Sequence, residues 1–133
     1  MTVYRIPQAA ELLGVSQDTL RRWIHSGTLT AVTDELGRQS VDGAELAALA
    51  QTRAAPSPRT SGNPSSARNH AIGLVTGILT DKVMAQVTMQ CGPYRFVSLM
   101  SREAVEDLDL HIGDTATVVV KATNVIVEKP ELI

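Results

Sequence analysis

Aromatic residues are scarce, at 3% of 133 residues, so any core this chain builds must be aliphatic. A single cysteine, Cys91, excludes an internal disulfide, and no Cys/His spacing of a structural zinc site occurs. That usage fits a reducing cytoplasm, and no metal cation or organic cofactor is expected. No apolar run approaches the ~18 residues of a membrane span. Residues 1 to 25 also lack the basic start, apolar run and small-residue cleavage site of a secretory signal, so the expectation is a soluble, cytoplasmic protein without a membrane partner. Excess positive charge is missing too. The net charge of -2 argues against general adhesion to nucleic acid, and any DNA contact must therefore be local.

No nucleophile, base and orienter stand together, and no glycine-rich phosphate loop followed by Lys-Ser/Thr is present, so the chain is not expected to be an enzyme. His25 and His70 have no carboxylate or Cys partner at ligand spacing, and His111 reads as a loop or strand-end residue. Cys91, beside Gly92 and Pro93, reads as a thiol at a hairpin turn.

What is present falls into two modules. The stretch AAPSPRTSGNPSSA, 54–67, holds three of the six prolines, four serines and no apolar period, and is read as a flexible linker between domains at 1–53 and 68–133. In the first, Pro7 suits a first helical turn, Ala9, Ala10, Leu12 and Leu13 recur at helical spacing, and Gly14 stops the helix. Ser16 caps a second helix whose Leu20, Trp23 and Ile24 share one side and which Gly27 ends. A hairpin is predicted around Asp34-Glu35-Leu36-Gly37, then a third helix capped by Asp42 and running through Leu46 and Leu49.

In the second module, Val83, Ala85, Val87 and Met89 alternate with Met84, Gln86, Thr88 and Gln90, the period of a strand with one buried face. Ala116, Val118 and Val120 alternate likewise. With strands at 70–80, 94–100 and 123–129, and a short helix capped by Ser101, the prediction is an OB-like five-stranded β-barrel. The fold class is thus α+β in two domains, the first mainly α.

YRIPQAAELLGVSQDTLRRWIHSGTL, residues 4–29, resembles the winged helix-turn-helix of excisionase-like and MerR-like DNA-binding domains, with the 28–41 hairpin in the place of the wing. If Leu20, Trp23 and Ile24 face inward, then Gln17, Asp18, Arg21, Arg22 and His25 lie outward. Arg21 and Arg22 are candidates for guanine edges or phosphates, Gln17 for a base, and Arg38 and Gln39 for the backbone or minor groove. Asp18 serves the helix N-terminus. So few cations predict weak binding by one domain, hence two domains on two half-sites.

From Ala67 onward the chain is similar to the TOBE, or Mop, family of small molybdate-binding domains of molybdate-responsive repressors, transport ATPases and molbindins. The matching pieces are SARN (66–69), GLVTGI (73–78), VMAQVTM (83–89), LDLHIGD (108–114) and VVKATNVIV (119–127). The resemblance implies a tetrahedral oxyanion, molybdate or tungstate, at a subunit interface in a homo-oligomer. Ser66, Arg68, Lys121, Ala122 and Thr123 would lie on one side and Ser101 on the other. Arg and Lys donate but cannot accept, which suits a fully deprotonated oxyanion better than hydrogen phosphate. Ser101 at a helix start would add first-turn amides. Ala104 departs from the family, where a serine often stands, and removes a hydroxyl donor.

Together these readings predict a molybdate- or tungstate-responsive DNA-binding transcriptional regulator. Two others fit the same residues: a molybdate-binding storage or buffer protein whose first module binds a protein partner, and an excisionase-like architectural factor whose barrel is a dimerisation unit.

Overall fold

The computed structural model describes residues 2–54 and 65–130. They form two compact units, one before position 56 and one after it. Most of the predicted 54–67 linker lies outside the described residues.

The first unit is built as its local signals require. Strand β1 (Val3–Arg5) leads into α1 (Ile6–Leu13), which buries Ile6, Ala9 and Ala10 at helical spacing. Gly14 ends α1 at φ 67°, a left-handed conformation that glycine adopts without a Cβ penalty, and its N–H is directed at the carbonyls of Ala10 and Glu11. Helix α2 (Gln17–His25) starts where the Ser16 hydroxyl accepts the Thr19 N–H at 3.0 Å. Strands β2 (Ala31–Thr33) and β3 (Gln39–Asp42) flank the predicted hairpin tip. Helix α3 (Gly43–Arg53) follows, with Asp42 accepting the Glu45 N–H.

The sheet order is β1-β3-β2, all antiparallel. Val41 on β3 is opposite both Tyr4 and Ala31, and it packs with Ile6, Ala9, Leu20, Leu29 and Leu46 into one aliphatic core. Each fully buried Leu or Val contributes about 1.5–3 kcal/mol relative to exposure. Strand β1 is not legible in the sequence, since three residues are too few to display a period.

The second unit runs β4 (Asn69–Thr80), β5 (Met84–Cys91), β6 (Tyr94–Ser101), α4 (Arg102–Asp107) and β7 (Thr115–Val120), followed by a 3-10 turn at Ala122–Asn124. The sheet order is β6-β5-β4-β7. Strand β4 serves two partners: its first half, Asn69 to Leu74, pairs with β7, and from Leu74 onward it pairs with β5, across a bulge between Val75 and Gly77. Ala85, Val87, Met89 and Cys91 point from β5 into a core with Val75 and Val105. Gly73 is required there, because a Cβ would overlap Cys91 Sγ and lie 2.6 Å from the Gln90 carbonyl oxygen. Cys91 is buried and pairs with Tyr94 across the hairpin, where its neighbours Gly92 and Pro93 predict a turn.

One expectation is corrected. Among the described residues the sheet has four strands and does not close, so the five-stranded barrel is not confirmed. Residues 123–129 are not a strand: the chain turns at Ala122–Asn124, and Val125, Ile126 and Val127 are exposed by 46%, 85% and 88%. Their β-branched pattern is that of a strand, but no strand edge of the same unit receives them.

Candidate functional site

In the first unit, burying Leu20 and packing Trp23 and Ile24 against the core leaves Gln17, Asp18, Arg21, Arg22 and His25 exposed, as the helical period demands. Arg21 donates to Gln17 Oε1 at 3.3 Å and lies 3.6 Å from the Asp18 carboxylate, while Arg22 donates to Thr19 Oγ1 at 3.3 Å. These are exposed, easily exchanged contacts on the helix's own surface. Trp23 carries the Arg53 guanidinium over its ring, 4.7 Å from the centroid, which ties the end of α3 to α2.

The wing is differently arranged. Asp34 Oδ1 accepts the N–H groups of Leu36 (2.9 Å) and Arg38 (2.8 Å), and Oδ2 accepts Arg38 Nε at 2.9 Å. The Arg38 backbone N–H, foremost, holds the Asp34 carboxyl below its ordinary range. Arg38 is thus matched by a carboxylate, and Gln39 stands exposed beside it at the start of β3. The sequence places Arg38 on the wing, and the structure adds this ion pair. The turn DELGR carries the signal for it, an Asp four residues before an Arg across a glycine turn.

In the second unit, the register of β4 and β7 gathers one group of residues. Asn69 is opposite Val120 and His70 is opposite Val119, and the ladder ends there, with Arg68 one residue before Asn69 and Lys121 one residue after Val120. The Asn69 amide fixes this end by donating to the Val120 carbonyl at 3.1 Å. Arg68 Nη1 donates to the Ser65 carbonyl at 2.8 Å, curling the guanidinium over its own loop; Ser66, Arg68, Lys121, Ala122 and Thr123 are all exposed. Asn69 is not among the residues predicted for the site, although it sits in the SARN motif.

Ser101 lies elsewhere. It ends β6 opposite Met84, near the Thr80 end of β4, whereas Arg68 precedes the Asn69 end. The twelve residues of β4, with the bulge between Val75 and Gly77, lie between the two ends. Ser101 Oγ accepts the Ala104 N–H at 3.1 Å, so the Ala104 amide is committed to the cap while the hydroxyl proton is left to donate. The expected first-turn amides are correspondingly reduced. His111 sits in the 108–114 loop between Asp109 and Asp114. Among the described residues, no three His, Cys, Asp or Glu side chains gather as a metal site, and no helix is long and apolar enough to cross a membrane.

The class is therefore a helix-turn-helix unit with a wing, followed by a small antiparallel module that brings an Arg and a Lys to one strand end. Family models agree: residues 3–53 match a helix-turn-helix domain and residues 65–127 match the TOBE domain. The chain belongs to the TOBE family, with a helix-turn-helix domain ahead of that module. It is 36% identical to a molybdate binding protein from Sporomusa ovata, over 50% of this chain and all of that one, with a TM-score of 0.49. It is 34% identical to MopII from Clostridium pasteurianum, again over 50% of this chain and all of that one, TM-score 0.47. A third structure, the cytoplasmic molybdate-binding protein ModG, is 39% identical over 53% of this chain and 50% of its own, TM-score 0.48. No curated protein matches the chain.

Proposed function

We propose that this protein is a molybdate- or tungstate-responsive DNA-binding regulator, with domains at 1–53 and 68–133 joined by residues 54–67. The observation that supports the reading is the β4–β7 ladder, whose last pair, Asn69 and Val120, is flanked in sequence by two donor-only cations, Arg68 and Lys121, in a domain whose relatives are molybdate-binding proteins. Neither matched domain belongs to a catalytic family. Ser66, Ala122 and Thr123 complete one half of the pocket, and Ser101 of a second copy supplies the other.

The division between copies is supported by the placement of the two halves along β4. Arg68 precedes the Asn69 end of β4 and Ser101 lies near its Thr80 end, which favours a site completed by two chains. Pairing through the β-modules is supported by a groove of about 580 Å³ lined by Val87, Met89, Met100, Leu110, Ala116 and Val118, which this chain leaves open. It is supported equally by the exposed Val125-Ile126-Val127 segment, which has the strand pattern but no partner strand. Anion binding at the interface stabilises the oligomer and so favours two helix-turn-helix domains engaging two half-sites, by as much as its differential affinity allows. Arg21, Arg22, Gln17 and His25 face the DNA on α2, and Arg38 and Gln39 follow on the wing.

Calorimetry of the full chain against molybdate, tungstate, sulfate and phosphate tests the ligand, and selection of bound fragments from random duplex DNA, with and without molybdate, tests the response. Molybdate and tungstate are expected to bind, with phosphate far weaker at neutral pH, because hydrogen phosphate brings a proton that Arg and Lys cannot accept. Equal heats for phosphate and molybdate would sink the oxyanion assignment. Molybdate binding without selected DNA would leave the storage reading, and selected DNA without molybdate binding the architectural one.

A further inference from the structure

We propose that Lys82 is a third cation of the oxyanion site, contributed from the Ser101 half. The proposal rests on the two-chain pocket just described and adds a residue to it. Lys82, Val83, Ser101, Arg102, Glu103 and Glu106 line one concavity of about 440 Å³. It is the surface that the second half of the pocket must meet, because Ser101 opens into it.

The turn that carries Lys82 is tightly held. Asp81 Oδ1 accepts the N–H groups of Val83 at 2.8 Å and Met84 at 2.7 Å, and the Asp81 N–H donates to the Met84 carbonyl at 2.9 Å. The turn is also locked to the Ser101 strand end, since the Arg102 N–H donates to the Val83 carbonyl at 2.8 Å. Arg102 itself is spent: its Nε bonds Glu106 at 3.2 Å and its Nη1 the Asp81 carbonyl at 3.2 Å. Lys82 has no acidic partner within ion-pair distance among the described residues, so it is the cation of this half still able to meet an incoming anion.

The electrostatics call for such a residue. Glu103 and Glu106 line the same concavity, and with Arg102 paired they leave an unbalanced carboxylate facing an anion site. The ammonium of Lys82 offsets it. Ala104 offers no hydroxyl, and its amide is bonded to Ser101. A flexible lysine on a rigid turn restores a donor to this half.

The test is molybdate calorimetry on full-length Lys82→Ala, Lys82→Arg and Arg68→Ala chains at low and high salt, with oligomeric state followed by sedimentation. Lys82→Ala is expected to bind about tenfold more weakly with unchanged assembly, the deficit shrinking at high salt, and Lys82→Arg to stay within about threefold of wild type. Wild-type affinity in Lys82→Ala, with binding lost in Arg68→Ala, would overturn the role of Lys82 and leave the pocket reading standing. Wild-type affinity in both would overturn the pocket reading and the proposal with it. Equal loss in Lys82→Ala and Lys82→Arg, accompanied by altered assembly, would also overturn the proposal, since packing rather than charge would be responsible.

Discussion

Asn69 grips Val120 twice, once as its register partner across β4 and β7 and once through a side-chain amide that donates to the Val120 carbonyl at 3.1 Å. That double connection is made one residue from Arg68 on one strand and one residue from Lys121 on the other. The pinned pair thus stands next to both proposed cations without itself needing to touch an anion.

Asn69→Ala should therefore weaken molybdate binding several-fold while retaining both charges. Removing the hydrogen bond should cost about 0.5–1.5 kcal/mol of stability. Calorimetry and thermal melts measure the two effects separately. Unchanged affinity in a variant destabilised by this amount would show that Arg68 and Lys121 do not depend on Asn69 for their placement.

Where the sequence was readable, a local rule decided the structure. Ser16, Asp42 and Ser101 each cap the helix predicted for them, since a short polar side chain ahead of an apolar helical period has few other roles. The alternation at Ala85, Val87 and Met89 became the buried face of β5, although Val83, formally in phase, is 69% exposed because it lies in the turn before the strand. The failures have another origin. Val125 to Val127 have strand character, but pairing requires an edge to receive them, and composition does not say which chain supplies it. The Arg38 ion pair depended on a turn that folds Asp34 back over four residues. For the proposed anion site, SARN and VVKATNVIV offer candidates for one half, and the antiparallel register adds that the residues next to Arg68 and Lys121, Asn69 and Val120, are paired.

On the helix-turn-helix unit, replacing Arg21 and Arg22 together by Ala should abolish selective DNA binding, at about 1–3 kcal/mol for each base-edge hydrogen-bonding pair removed, with molybdate affinity unchanged. Arg38→Ala should cost far less, because Asp34 already neutralises that guanidinium at 2.9 Å. Gel shifts over a salt series distinguish the two variants. If Arg38→Ala is as damaging as the double replacement, the wing rather than α2 dominates recognition.

Asp81 gives the second unit a predictable response to acid. The Met84 N–H, and after it that of Val83, hold its carboxyl below the ordinary range in the folded chain. Between the folded and unfolded values the unfolded chain binds more protons. This contribution is therefore complete above about pH 5, and is lost as the pH falls through the folded value. Asp81→Asn should be less stable than wild type at pH 7, and the difference should narrow in denaturant titrations as the pH falls below the ordinary carboxylate range. A constant difference across that range would mean that the charge of Asp81 is not what stabilises the turn.

The division of the pocket between chains can be tested by complementation. Ser101→Asp sets a carboxylate against the anion, and Arg68→Ala with Lys121→Ala removes its countercharges, each change costing about 2 to 5 kcal/mol for a buried charged interaction. Alone, each variant should fail to bind molybdate. In a mixed pair formed by co-refolding, Arg68 and Lys121 of the Ser101→Asp chain meet the intact Ser101 of the other, restoring one site, while the second site carries both defects. If two sites pair reciprocally, calorimetry on the isolated heteromer should return about half the wild-type stoichiometry at near wild-type affinity. The low stoichiometry separates this result from a pocket contained within one chain, for which mixing two defective copies restores nothing. A heteromer shown to have formed, yet unable to bind, would place the oxyanion within a single chain or on other residues.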